Sequence, residues 1–132
     1  MLKLEIVTPE KKIFDGTVES VTVPTATGEA GILPSHAPLI SALKPGILSY
    51  SNKGAVERLA VAGGFVEVSS DNVSVLVDAA ETAAEIDAAA AHADREANER
   101  ALRETAGSIE ESEEIRNRLD TANARLQLIS GK

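Results

Sequence analysis

The chain changes character at Asp78, and that break constrains its fold more than any other feature. The valines stop at Val77 and the prolines at Pro45, after which alanine, glutamate and arginine take over through Lys132. β-Branched residues punctuated by turn formers suit strands, whereas a proline-free run of alanine, glutamate and arginine suits helices. The sequence therefore reads as β + α: an N-terminal antiparallel β-sandwich over residues 1–84, then a C-terminal antiparallel two-helix hairpin over 85–132.

Within the first part, Leu2, Leu4 and Ile6 alternate with Lys3 and Glu5, the period of a strand with one buried face. The apolar phase slips between Val18 and Val21, which predicts a tight turn around Asp15 and Gly16 followed by a bulged strand. Further on, residues 47–50, 56–62, 65–68 and 73–77 read as short strands. They are separated by turns at 51–54, at Gly63 and Gly64, and at 69–72.

In the second part, Ala89, Ala93, Ala97 and Ala101 repeat every four residues beside Leu102, which predicts a smooth small-residue face on a helix over 87–105. Asp87 reads as its cap. Gly107 breaks the pattern, and Ser108 followed by Glu111 has the form of a capping box that opens a second helix over 109–129. There, Ile115, Leu119, Ala122, Leu126 and Ile129 step by four, three, four and three, a narrow seam for one partner helix. Arg125 reads as a solvated residue opposite that seam.

Alanine buries far less apolar area than leucine, at about 25 cal/mol per Å², so the hairpin should be marginally held. Glu110, Glu111, Glu113 and Glu114 add like-charge repulsion at the start of the second helix. A docked and an extended form are expected within a few kcal/mol of each other, the condition for a switch.

Composition narrows the function. A chain of 132 residues with a formal charge of −8 and only Phe14, Tyr50 and Phe65 as aromatics has neither the basic footprint nor the stacking platforms of a nucleic-acid binder. Without cysteine there is no disulfide framework, thiolate zinc site or cysteine nucleophile, and no metal site is expected. Lys3, Glu5 and Glu10 interrupt what would have to be the apolar core of a signal segment, and no apolar run is long enough to span a membrane, so a soluble chain is expected.

Residues 24–46, PTATGEAGILPSHAPLISALKPG, form the most shaped stretch. Gly28 and Gly31 are candidates for backbone angles closed to other residues, and Ile32 and Leu33 should anchor the loop inward. Pro34 and Pro38 bracket Ser35, His36 and Ala37, stiffening a loop suited to docking. His36 has no triad partner at a recognisable spacing and reads as a loop or interface residue; Glu29 reads as a solvated or interface charge. Gly28 and Gly31 are too close for a dinucleotide fingerprint, and no glycine precedes Lys44 as in a phosphate loop. No catalytic site emerges.

Gly28, Glu29, Gly31, Ile32, Leu33, Pro34, His36, Ala37, Pro38 and Leu39 match the signature of the epsilon subunits of F-type ATP synthases, which the chain resembles over nearly its whole length. The resemblance implies a sandwich of about ten strands bound to the rotary gamma subunit and resting on the c-ring, with Glu29 and His36 in the loop facing that ring. It implies a rotor subunit without catalytic residues, peripheral on the cytoplasmic face of a bacterial inner membrane. Its helices would fold beside the sandwich or extend along gamma to the alpha and beta subunits, inhibiting ATP hydrolysis.

Some members bind ATP on the folded hairpin. Ile86 and Asp87 match that motif, but Ala90 stands where it has arginine. Arg125 matches its last arginine, while Thr121 replaces the preceding one. Two missing charge-assisted contacts, each worth about 1.5–3 kcal/mol, predict weak or absent ATP binding and no cofactor. The alternative to a rotor subunit is a free-standing sandwich adaptor that recruits a partner helix through Ile115, Leu119 and Leu126.

Overall fold

The computed structural model describes residues 1–105 and 107–130; the expected helical unit over 85–132 therefore includes three positions outside the described residues. Eight strands precede two helices: β1 (Leu2–Val7), β2 (Lys12–Val18), β3 (Ser20–Thr25), β4 (Gly28–Ile32), β5 (Leu39–Asn52), β6 (Ala55–Ser69), β7 (Asn72–Val77), β8 (Ala80–Glu81), α1 (Ala88–Glu104) and α2 (Ile109–Ile129). The strands follow the order β2-β1-β7-β6-β5-β3-β4, with β8 added to β6.

The long β5–β6 hairpin is the spine, closed by Lys53 and Gly54 at positive φ. Its pairing runs from Leu39↔Val68 to Leu43↔Gly64, skips Lys44 and Gly63, and resumes at Pro45↔Ala62. Gly63 and Gly64 hold φ of +91° and +140°, and Pro45 supplies no N–H, so the ladder bends here without ending. β7, β1 and β2 extend one half of the spine, and β3 and β4 extend the other. The sheet thereby folds over its own apolar face. Leu2, Leu4, Ile6, Val73 and Val75 share one core with Val21, Val23, Ile32, Leu48 and Leu59, all at most 3% exposed.

The sandwich was expected; several of its details were not. Gly63 and Gly64 bend a strand instead of making a turn, and residues 47–50 belong to a longer β5, so fused segments leave eight strands, not about ten. The turn before β2 lies at Thr8–Lys11, where Thr8 N donates to Lys11 O at 2.9 Å, and Asp15 and Gly16 lie within β2. Lys12, 3.2 Å from both Glu5 and Asp15, offsets those facing carboxylates, and its own proton is held more tightly than usual by the same two hydrogen bonds. The sandwich is also not wholly antiparallel. β1 and β7 pair in parallel, Lys3↔Asn72 through Val7↔Leu76, a long-range pairing that local turn signals cannot announce.

Both helices begin with an expected N-cap bond: Asp87 Oδ1 accepts from Ala90 N at 3.1 Å, and Ser108 Oγ accepts from Glu111 N at 3.2 Å, the serine half of the expected capping box. The expected alanine face of α1 is wrong, however. Ala89, Ala93 and Ala97 are exposed, whereas Ala91 is fully buried and Arg95, Asn98 and Leu102 are half-buried. A four-residue step advances 400°, so Ala89, Ala93, Ala97 and Ala101 drift 40° per step around the helix. Steps of four, three and four, from Ala91 to Leu102, stay on one side.

Candidate functional site

Two regions carry the residues singled out in the sequence. The first is the edge of the sandwich at β4 and the loop that follows it. Gly28 has φ of +129° and joins β3 to β4, where the buried Thr25 hydroxyl donates to the Gly28 carbonyl. Gly31 needs no such freedom: it pairs with Thr22 in the strand and does not have a positive φ. Ile32 is fully buried, but Leu33 is 61% exposed, against the expectation that both point inward. Successive strand residues face opposite ways, so only one of the two can reach the core.

Glu29 stands exposed on β4, the last strand of the sheet order, opposite Pro24, which has no N–H to donate. A charge on an open edge discourages strand addition. Beyond β4, His36 N donates to Leu33 O at 3.1 Å, closing a turn with Pro34 second and Ser35 third. Pro34, Ala37 and Pro38 are exposed and His36 is half-buried. His36 Nδ1 lies 2.6 Å from Ala37 O, which fixes the proton on Nδ1 and turns Nε2 to the remaining surroundings. Thus the structure gathers Leu33, Pro34, His36, Ala37 and Pro38 into one rigid, presented turn beside the Glu29 edge.

The second region joins the helices to the sandwich. α2 lies against β5 and β6, and α1 packs chiefly on α2. The apolar contact is small: Ala124 and Leu128 of α2 meet Ala60, with Ile47 and Ile86 at its rim. Arg125 is the polar centre of this joint. Its Nε lies 2.9 Å from Glu81 Oε1 on β8 and its Nη1 3.6 Å from Asp94 Oδ2 on α1. The Glu81 contact is an ion pair without a well-aligned Nε–H hydrogen bond, supported by Nη2 donating at 3.4 Å. With its side chain 17% exposed, Arg125 is no solvated surface residue: it ties β8, α1 and α2 together. The sequence hides this because its partners lie 44 and 31 positions away.

Asp87 caps α1 and Arg125 serves that joint, so these two residues do not share a set of contacts. Between the helices, Asp94, Asn98, Arg118, Thr121, Ala122 and Arg125 line a cleft of about 240 Å³. Ala90 supplies no cation, and the Thr121 hydroxyl donates to Asn117 O at 2.8 Å. Asp94 and Glu81 already neutralise Arg125, so the cleft offers a polyanion little net positive charge. Among the described residues, no three His, Cys, Asp or Glu side chains form a group that could hold a metal ion, and no helix is long and apolar enough to cross a membrane.

Sequence reasoning missed an apolar row on the outer face. Ala42, Phe65, Leu76 and Val7 are direct neighbours across β5, β6, β7 and β1, with Phe65 60% and Leu76 56% exposed. They border a groove of about 780 Å³ that reaches Asn117, Arg118 and Thr121 of α2. The signal was present in the alternation: with Val66, Val68, Val75 and Val77 inward, Phe65 and Leu76 must face outward.

Comparison with known proteins covers both regions. Residues 1–83 match the family model of the ATP synthase delta/epsilon chain β-sandwich domain. The chain is 43% identical to the ATP synthase epsilon chain of Magnetococcus marinus, over 98% of this chain and 94% of that one. It is 47% identical to the Syntrophobacter fumaroxidans epsilon chain, over 83% and 81%. Its fold is similar to that of a chain in the Euglena gracilis mitochondrial ATP synthase, with a TM-score of 0.80 at 22% identity, over 96% of this chain and 79% of that one.

Proposed function

Because this chain belongs to the ATP synthase delta/epsilon family, we propose that it works as a non-catalytic rotor subunit whose sandwich couples gamma to the c-ring and whose helices brake ATP hydrolysis. The observation that carries this division of labour is the difference between the two packings. The sandwich closes its own core within residues 1–77, whereas the hairpin rests on it through a small cluster of Ala60, Ala124 and Leu128 rimmed by Ile47 and Ile86, and through the Arg125–Glu81 ion pair. A unit held that lightly can leave without unfolding its neighbour.

In this reading the Glu29 edge and the His36 turn face the c-ring, and the outer row of Phe65 and Leu76 provides apolar area for gamma. Released helices extend along gamma towards the alpha and beta subunits. The protein is then peripheral, on the cytoplasmic face of a bacterial inner membrane, and nucleotide binding at the hairpin is weak or absent. The adaptor alternative is disfavoured because Ile115, Leu119 and Leu126 are half-buried in the docked hairpin.

The test is co-purification with the cognate gamma subunit, followed by ATPase assay of the catalytic head with the full chain and with a chain ending at Ala84. Both forms should bind gamma, and only the full chain should slow hydrolysis. Failure of both to bind would refute the rotor role; equal inhibition by both would refute the brake.

A further inference from the structure

The turn at residues 33–36 has a residue in an unfavourable place. Proline second and a positive φ third describe a turn that calls for glycine at the third position, yet the third residue is Ser35, at φ of +66°. A side chain in this left-handed region resists the conformation, so something must hold it there. Asp71 supplies the hold: Ser35 N donates to Asp71 Oδ1 at 2.6 Å, a charge-assisted bond across 36 positions.

Asp71 is itself firmly fixed. With Ser70 it makes the two-residue turn between β6 and β7, at φ of +64° and +49°, flanked by the Ser69↔Asn72 pair. Its carbonyl accepts from Lys3 N at 2.8 Å, tying the same turn to the first strand. Leu39↔Val68 pairing brings the start of β5, and so the preceding turn, alongside this end of β6.

We propose that Asp71 is a positioning residue for docking: its carboxylate holds the Ser35 amide, and through it the Leu33–Pro38 turn, in the shape that the rotor partner meets. This rests on the reading that the turn faces the c-ring. A preset turn spares the ordering cost that a loose one pays on association.

The position permits a clean test, because glycine and asparagine both suit the left-handed second place of such a hairpin turn. Asp71→Gly keeps the hairpin and deletes the acceptor; Asp71→Asn keeps an acceptor oxygen. Two quantities are read on the full chain: hydrogen exchange of the Ser35 amide, and affinity for a purified gamma–c-ring complex, with melting temperature as control. Asp71→Gly should melt like the parent, exchange Ser35 at least tenfold faster and bind roughly three- to tenfold more weakly, with Asp71→Asn restoring most of both. Unchanged Ser35 exchange in Asp71→Gly overturns the proposal. So does faster exchange with unchanged affinity, provided that His36→Ala weakens binding. If His36→Ala and Glu29→Gln also leave affinity unchanged, the c-ring reading has failed instead, and Ser35 exchange alone decides whether Asp71 holds the turn.

Discussion

Replacing Arg125 with alanine should release the helical hairpin from the sandwich without unfolding either. The magnitude follows from the contacts. The Glu81 ion pair is partly shielded, with the two side chains 17% and 31% exposed, and a hydrogen bond to a charged group contributes about 1.5–3 kcal/mol. Its oblique geometry places it at the lower end of that range. Asp94 lies on α1, so its 3.6 Å contact with Arg125 is internal to the hairpin and does not hold it to the sandwich. The Glu81 contact thus supplies about 1.5–2 kcal/mol, or roughly a ten- to thirtyfold change in the docking equilibrium. Opposing release is the burial of Leu128, about 1.5–3 kcal/mol. The Glu81 ion pair and the apolar contact are thus of similar size, and loss of either should be felt. Because the chain has no cysteine, single cysteines at the exposed Ala97 and Val56 can carry a distance label pair. Arg125→Ala and Glu81→Gln should both lengthen the population-averaged distance, whereas Asp94→Asn should alter the equilibrium by no more than about twofold. A docking equilibrium in Arg125→Ala within twofold of the parent would show that the joint is held by packing alone.

Gly64→Ala should damage the sandwich itself: a Cβ there would run into the Leu76 carbonyl at a φ of +140°. Strain and overpacking together cost about 2–5 kcal/mol, so calorimetry should show a melting temperature lower by roughly 10 °C or more, and a drop under 5 °C would contradict the close approach of β6 and β7. Acid should loosen the link between the two parts at Glu85. Its carboxylate accepts from the Thr82 backbone N–H at 2.9 Å and from the Thr82 hydroxyl at 3.0 Å, which lowers its pKa from 4.5. A depressed folded value means that the stabilisation is complete above 4.5 and is lost as pH falls through the folded value. Thr82 amide protection, corrected for intrinsic exchange, should therefore decline below pH 4.5, and protection unchanged down to pH 2 would count against that capping contact.

What the sequence revealed depended on how local the cause was. The bounds of α2 at Ile109 and Ile129 follow from a cap and a seam that lie within the helix itself. Ile32 in the core follows from alternation, and the same rule, applied one residue further, would have put Leu33 outside. Gly63 and Gly64 announced a special backbone but not its kind, because a turn and a bend both need positive φ. The β1–β7 pairing, the Arg125 ion pairs and the bond from Ser35 to Asp71 all join residues more than thirty positions apart. Nothing in a short window records such contacts, and they are what bind the candidate sites to the fold.

The alanine content of the helices bears on the function in a way that the misassigned face of α1 makes clearer. Ala89, Ala93 and Ala97 are exposed, so they add helix propensity and almost no docking energy. At the joint with the sandwich, Ala60 and Ala124 allow close approach but bury little area, leaving Leu128 as the one large apolar anchor inside that cluster. Because α1 packs chiefly on α2, what the sandwich holds is α2, and breaking the α2 contacts frees both helices. Larger residues at Ala60 and Ala124 that packed well would bind the hairpin more tightly and shift the equilibrium towards the docked form. Small residues at that boundary, with helices stiff enough to keep their form on release, are what a reversible brake requires.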